Sequence, residues 1–234
     1  MLNMHNVVIL DFETDSSNPE TCNPTQLSCL VINPRTLTII PGSEFNSFLR
    51  PIDIKEEKYV ENHKDTIEFH AKHQHATAEE VVANWRKAPE QKQVWTNFVK
   101  YLDRYHTRQS NKSMFTAPLI CGYNILGFDY PIIERLSKLY GNVGKDGRSN
   151  LFFNRDKIDL MHYAFTWFEN LPEPLSYNLD TMRDFLGISK EGSHDAFKDV
   201  EDCAEIFIYW QKMIRGVAEK VRFKQAFARK NENE

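Results

Sequence analysis

The stretch Val7-Val8-Ile9-Leu10-Asp11-Phe12-Glu13-Thr14 constrains the fold more than any other part of the chain. Consecutive β-branched and apolar side chains are the mark of a strand covered on both faces, so a central strand is expected over residues 7–12. The run ends abruptly in acids. A strand's period of two sends Asp11 and Glu13 out of the same face, at one edge of the sheet. Close carboxylates repel one another unless a cation separates them. A solvated strand end is the ordinary alternative, but Asp11 directly closes an apolar run, where an unpaired buried charge is costly. Metal binding is therefore a reading to test.

Further strand-like runs lie at Gln26 to Asn33 and Leu37 to Ile40, joined by Asn33-Pro34-Arg35-Thr36, and near Glu44 to Leu49; together they predict an antiparallel meander. From about Asp53 to Ser113 the chain turns polar, with helices expected at Thr77 to Trp85 and Val94 to Tyr105. Strand and helix then alternate. Leu119 to Tyr123 and residues 157–161 predict strands. Pro131 to Tyr140, Leu160 to Glu169, Asn178 to Leu186 and Ala196 to Ile214 predict helices, with Gly141 and Gly187 as stops. The expectation is one mixed α/β domain over residues 1–214, carrying a helical insertion at about 53–113 and followed by a basic helix or tail at 215–234.

With 234 residues the chain can bury a core without staples, and its 41% hydrophobic and 26% charged residues exclude fibrous and wholly disordered classes. A formal net charge of −4 argues against polyanion binding by bulk charge alone. Cys22, Cys29, Cys121 and Cys203 form no CxxC pair and read as reduced, buried thiols. With no leader-like segment and no apolar run of membrane-spanning length, the chain is expected to be soluble, intracellular and cytoplasmic, with no membrane partner.

Two further constellations carry chemistry. Asn124-Ile125-Leu126-Gly127-Phe128-Asp129 sits between a strand and a helix; Asp129 alone reads as a helix-terminus acid, and Asn124 as a turn residue. Ser193-His194-Asp195-Ala196-Phe197-Lys198-Asp199 enters the last helix, where Asp199 alone reads as a first-turn acid. In conjunction they amount to four carboxylates and a histidine, each at the edge of an element, on three distant segments.

Asp11-Phe12-Glu13-Thr14, Asn124 to Asp129, and His194-x-Ala196-x-x-Asp199 resemble, in order and spacing, the three motifs of the DEDDh, or DnaQ-like, 3′-to-5′ exonuclease family. The likeness spans about residues 7–214, including the stretch NLDTMRDFLG before the third motif. It implies a ribonuclease H-like fold: a mixed five-stranded sheet with helices on both faces. It also implies that Asp11, Glu13, Asp129 and Asp199 hold two Mg²⁺ or Mn²⁺ ions, since hard divalent cations favour carboxylate oxygen. His194 would be the general base, because an imidazole exchanges protons near neutral pH. A tyrosine-using relative would carry Tyr one turn before Asp199, where this chain has Asp195 and Ala196. Thr14 and Asn124 would help fix the terminal nucleotide.

By the same resemblance the substrate is the 3′ end of single-stranded DNA or RNA, released as nucleoside 5′-monophosphates. The alternatives are a proofreading subunit of a DNA polymerase, or a non-catalytic nucleic-acid-binding scaffold of the same fold, with residues 53–113 docking a replication or repair protein. One departure stands out. After Thr14 the chain reads Asp15-Ser16-Ser17-Asn18-Pro19, where many relatives supply an apolar wedge against the terminal base, and Leu27 is a candidate replacement. Phe12 and Phe128 flank the acids, but Phe12 alternates away from them and reads as core. His70, His73 and His75 read as a solvated polar segment. Residues 141–147 read as a surface loop, not a phosphate loop. Arg215, Lys220, Arg222, Lys224, Arg229 and Lys230 read as a solvated basic face.

Overall fold

The computed structural model describes residues 4–222; Lys224, Arg229 and Lys230 of the basic tail lie outside the described residues. Strand β1 (Val7–Thr14) pairs antiparallel with β2 (Pro24–Asn33) and parallel with β5 (Leu119–Gly122), which in turn runs parallel to β6 (Lys157–Asp159). The outer edge of β2 is shared by two short strands, β3 (Thr38–Ile39) at one end and β4 (Phe45–Phe48) at the other. The mixed sheet thus has six strands but five positions across, because the meander's return is split in two. Gly122 is required where β5 meets β1, since a Cβ there would stand 2.7 Å from the Leu10 carbonyl oxygen.

Both faces of β1 are covered. Val8, Leu10 and Phe12 pack with Trp95, Phe98 and Leu102 of α4 (Gln91–Leu102) and Ile132, Ile133 and Leu136 of α5 (Asp129–Tyr140). Val7 and Ile9 face the other way, against α6 (Leu160–Phe168), α7 (Leu179–Leu186) and α8 (Ala196–Lys220) through Leu160, Met182, Val200, Cys203 and Phe207. Each such fully buried large side chain contributes about 1.5–3 kcal/mol. The same alternation carries Asp11 and Glu13 onto the α8 side. All four cysteines are free and buried. No described helix is long and apolar enough to cross a membrane.

The polar stretch 53–113 divides in two. Its second half, α4, belongs to the main core. Its first half forms α1 (Tyr59–Asn62), α2 (Lys64–His73) and α3 (Ala78–Lys87), which close a small core of their own from Ile54, Tyr59, Ile67, Val81 and Trp85. α3 begins with a reciprocal capping box between Thr77 and Glu80. The sequence pattern ended the last helix at Ile214; α8 instead continues to Lys220. There the Arg215 guanidinium donates to the carbonyl oxygens of Pro34 and Arg35, tying the helix to the β2–β3 turn.

Candidate active site

The end of β1 brings the first pair of acids to the surface of the sheet, and the first turn of α8 brings a third. Carboxylate oxygens of Asp11, Glu13 and Asp199 lie within 4.8 Å of one another, close enough to hold a metal ion. Asp129, almost fully buried at the start of α5, lies against the same strand: its Oδ1 accepts the Phe12 backbone N–H at 2.9 Å. One of its oxygens is thereby turned to the strand.

The electrostatics of this cluster are unfavourable without a cation. Burial raises Asp11 well above the carboxylate range, and the negative charges of Asp129, Asp199 and Glu13 raise it further. Glu13 is raised well above that range as well, by burial and then by Asp199, Asp195 and Asp129. Asp129 is pushed up to about 8, chiefly by burial, although the Phe12 amide opposes the shift. Asp199 also rises, burial outweighing its arginine partner. Oxygen donors crowded beyond what they can charge alone fit a hard divalent cation, which would cancel their repulsion.

Asp199 is held from behind. Its Oδ1 accepts Arg183 Nη2 at 2.6 Å and the His194 backbone N–H at 3.2 Å. Arg183 is fully buried in α7 and also donates to Asp180 at 2.8 Å and Asp202 at 2.7 Å. Its forked guanidinium satisfies three carboxylates on two helices at once. The sequence reading missed it; Asp199 and Asp202 at i, i+3 spacing were the available signal that a buried partner was needed.

His194 takes a left-handed backbone, φ 66°, just before the Asp195 cap whose Oδ1 accepts the Phe197 and Lys198 amides. Its ring turns to Asp180, with Nε2 3.3 Å from Oδ2. Two aromatic rings of α2 pack on it: Phe69 edge-on at 5.0 Å and His73 at 4.2 Å. The three-histidine segment is therefore not simply solvated. His70 is buried; its Nε2–H donates to the Thr14 carbonyl at 2.9 Å, and its ring meets Trp85 edge-on. Burial lowers its pKa, so Nδ1 is left with a bare lone pair 4.0 Å from Glu13 Oε2, too long for a hydrogen bond. What exposed this role was the fold of 54–85, not the spacing of the histidines.

Thr14 is buried, and its hydroxyl donates to the Ser16 carbonyl at 2.8 Å. Asn124 is exposed in a left-handed conformation, φ 52°, and its carbonyl accepts the Gly127 and Phe128 amides. The loop is tight enough that a Cβ on Gly127 would lie 2.6 Å from Asn124 Oδ1. Asp159, unremarked in the sequence, fixes this loop by accepting the Asn124, Leu126 and Met161 amides at 3.0–3.1 Å. Leu27 is 0% exposed in the core, so it cannot be the apolar wedge; β2 is covered on both faces. The loop after Thr14 is instead anchored by buried Asp15, which accepts two donors from Asn23 and the Tyr59 hydroxyl, locking β1 to the insertion.

Residues 8–207 match the RNase_T family model, described as exonuclease. No curated protein matches the chain. Among solved structures, exonuclease I of E. coli bound to a 5cy-dT13 oligonucleotide is similar at 16% identity and a TM-score of 0.57, over 86% of this chain and 39% of that one. Exonuclease I of Methylocaldum szegediense gives 15% identity and a TM-score of 0.61, over 87% of this chain and 40% of that one. Cell-death related nuclease 4 (CRN-4) gives 19% and 0.61, over 90% and 64%. These likenesses show a ribonuclease H-like fold. The chain spans about two fifths of the length of the exonuclease I structures it matches.

Proposed function

The chain belongs to the exonuclease family matched over residues 8–207, in its DEDDh branch, and we propose that it is a metal-dependent 3′-to-5′ exonuclease acting on single-stranded DNA or RNA ends. The observation that carries this reading is the convergence of Asp11, Glu13 and Asp199 within 4.8 Å, with Asp129 hydrogen-bonded to the strand between the first two. A pure binding module gains little from clustered acids facing a phosphate backbone. Exonuclease I was solved with dT13 oligonucleotides, which favours a single strand as substrate here.

On this reading Asp11, Glu13, Asp129 and Asp199 hold two Mg²⁺ or Mn²⁺ ions. Such ions supply charge neutralisation at the scissile phosphate and acidify the attacking water. The remaining work belongs to side chains. His194 leaves Asp180 to accept the proton of the attacking water; it sits in the loop before α8, and its backbone N–H already donates to Asp199 Oδ1. Arg183 opposes the burial that raises Asp199 and fixes the direction of its carboxylate. Asn124 and Thr14 position the terminal nucleotide, Asn124 from an exposed loop tip and Thr14 through its main chain, since its hydroxyl is engaged. The product is a nucleoside 5′-monophosphate. Residues 1–214 are the catalytic domain, with its helical insertion at about 53–113, of which α4 joins the main core, and 215–234 are a basic helix or tail.

The test is a 3′-labelled oligonucleotide with MnCl₂. Wild type should release mononucleotides stepwise from the 3′ end, and folded Asp11→Ala should not. Equal release by both proteins would overturn the reading.

A further inference from the structure

The sheet continues the catalytic row outward. Glu13 is registered with Gln26, and Gln26 with Phe48; Asp11 with Ser28, and Ser28 with Asn46. Opposed residues in register share a face, so Asn46 and Phe48 lie on the face that carries the acids, two strand spacings or about 10 Å away. A polar ridge joins the two places. Gln26 Nε2 donates to Asn46 Oδ1 at 3.0 Å and to Asp195 Oδ2 at 3.1 Å, and Ser28 Oγ donates to Asn46 Oδ1 at 2.9 Å.

Beyond the ridge, between β4 and α3, lies a groove of about 520 Å³ lined by Asn46, Phe48, Gln74, Asn84, Trp85 and Lys87. Trp85 is shared with the site, since its ring meets His70 edge-on at 5.4 Å. The lining chemistry is selective. In a chain with 33 acidic residues, no Asp or Glu lines this groove among the described residues, and its charged side chain is Lys87. Phe48 is 49% exposed on an edge strand, where an aromatic ring gains nothing from the core.

The geometry points to a binding groove for the single strand upstream of the scissile end, a deepening that rests on the exonuclease reading. Phe48 stacks a base, the amides of Asn46, Gln74 and Asn84 pair with base edges, and Lys87 meets a phosphate. The distance of about 10 Å corresponds to about three stacked nucleotides at 3.4 Å each. A peptide adding a strand to β4 would use main-chain hydrogen bonds and leave the amides and lysine without a role.

The test is fluorescence anisotropy of labelled dT₈, U₈ and dT₂ in Ca²⁺, with hydrolysis of dT₂ in Mn²⁺ measured separately. Phe48→Ala and Lys87→Glu should each weaken octamer binding on the order of tenfold, while dT₂ binding and hydrolysis stay at wild-type values. The Lys87→Glu loss should shrink at high salt. Octamer affinity unchanged in both variants, absent octamer binding by wild type, or equal losses for dT₈ and dT₂ would each overturn the groove. If the variants lose octamer affinity but wild type never hydrolyses an oligonucleotide, the groove stands and the exonuclease reading falls.

Discussion

Arg183 Nη2 sits 2.6 Å from Asp199 Oδ1, a buried ion pair directly behind the acid that α8 contributes to the cluster. Removing the cation strands Asp199 in a desolvated pocket and leaves Asp202 with Lys198 as its ion-pair partner. Arg183→Met should therefore cost about 3–5 kcal/mol in urea denaturation. Arg183→Met combined with Asp199→Asn should lose less than the single substitution, because the uncompensated charge is gone. A single-variant loss below about 1 kcal/mol would show that the pair is not structural.

The raised carboxylates make metal-free stability fall with pH. The folded state binds protons more tightly than the unfolded chain at Asp11, Glu13 and Asp129, so it holds more protons between the ordinary carboxylate range and the raised values. Stability is greatest below about pH 4 as far as these groups are concerned. It declines as pH rises through that window, up to about 8 for Asp129. Differential scanning calorimetry should show metal-free protein less stable at pH 8 than at pH 6, by on the order of 2 kcal/mol. Saturating MnCl₂ should flatten or reverse the slope.

His194→Ala should lower kcat by about 10² to 10⁴-fold while leaving manganese affinity near wild type, because the ring pairs with Asp180 and not with the metal-binding acids. Single-turnover hydrolysis and titration calorimetry check the two halves. A parallel loss of metal affinity would recast His194 as a ligand.

Asp159→Ala should loosen the loop that leads into Asp129. Three part-buried backbone amides lose their acceptor, each at a cost no larger than the roughly 1–3 kcal/mol of a fully buried unmet donor. The variant should lose about 2–4 kcal/mol and turn over more slowly, although Asp159 is not one of the four acids proposed to hold the ions. Unchanged melting would mean that the loop is held by Asn124 alone.

The strands were legible because β-branched runs such as Val7 to Leu10 and Leu27 to Ile32 leave few other options. The acids were legible because Asp11 and Glu13 close a strand and Asp129 and Asp199 stand in the first turns of helices. Helices α1 and α2 were not, since their apolar anchors, Tyr59 and Ile67, are sparse in a charged stretch and find their partners in Val81 and Trp85 of a later helix. Arg183 was missed because two of its three carboxylate partners, Asp199 and Asp202, come from a different helix. His70 looked solvated beside His73 and His75; only the packing of α2 against Thr14 and Trp85 buries it. The split edge of the sheet escaped notice because β3 and β4 are too short to declare which part of β2 they join.

The central claim is that Asp11, Glu13, Asp129 and Asp199 form a divalent-cation site. Anomalous scattering from a crystal grown in MnCl₂ tests it most directly. The expected result is two manganese peaks within about 2.5 Å of these carboxylate oxygens, one of them among Asp11, Glu13 and Asp199. Peaks only at other acids, or none within reach of Asp11, would contradict it.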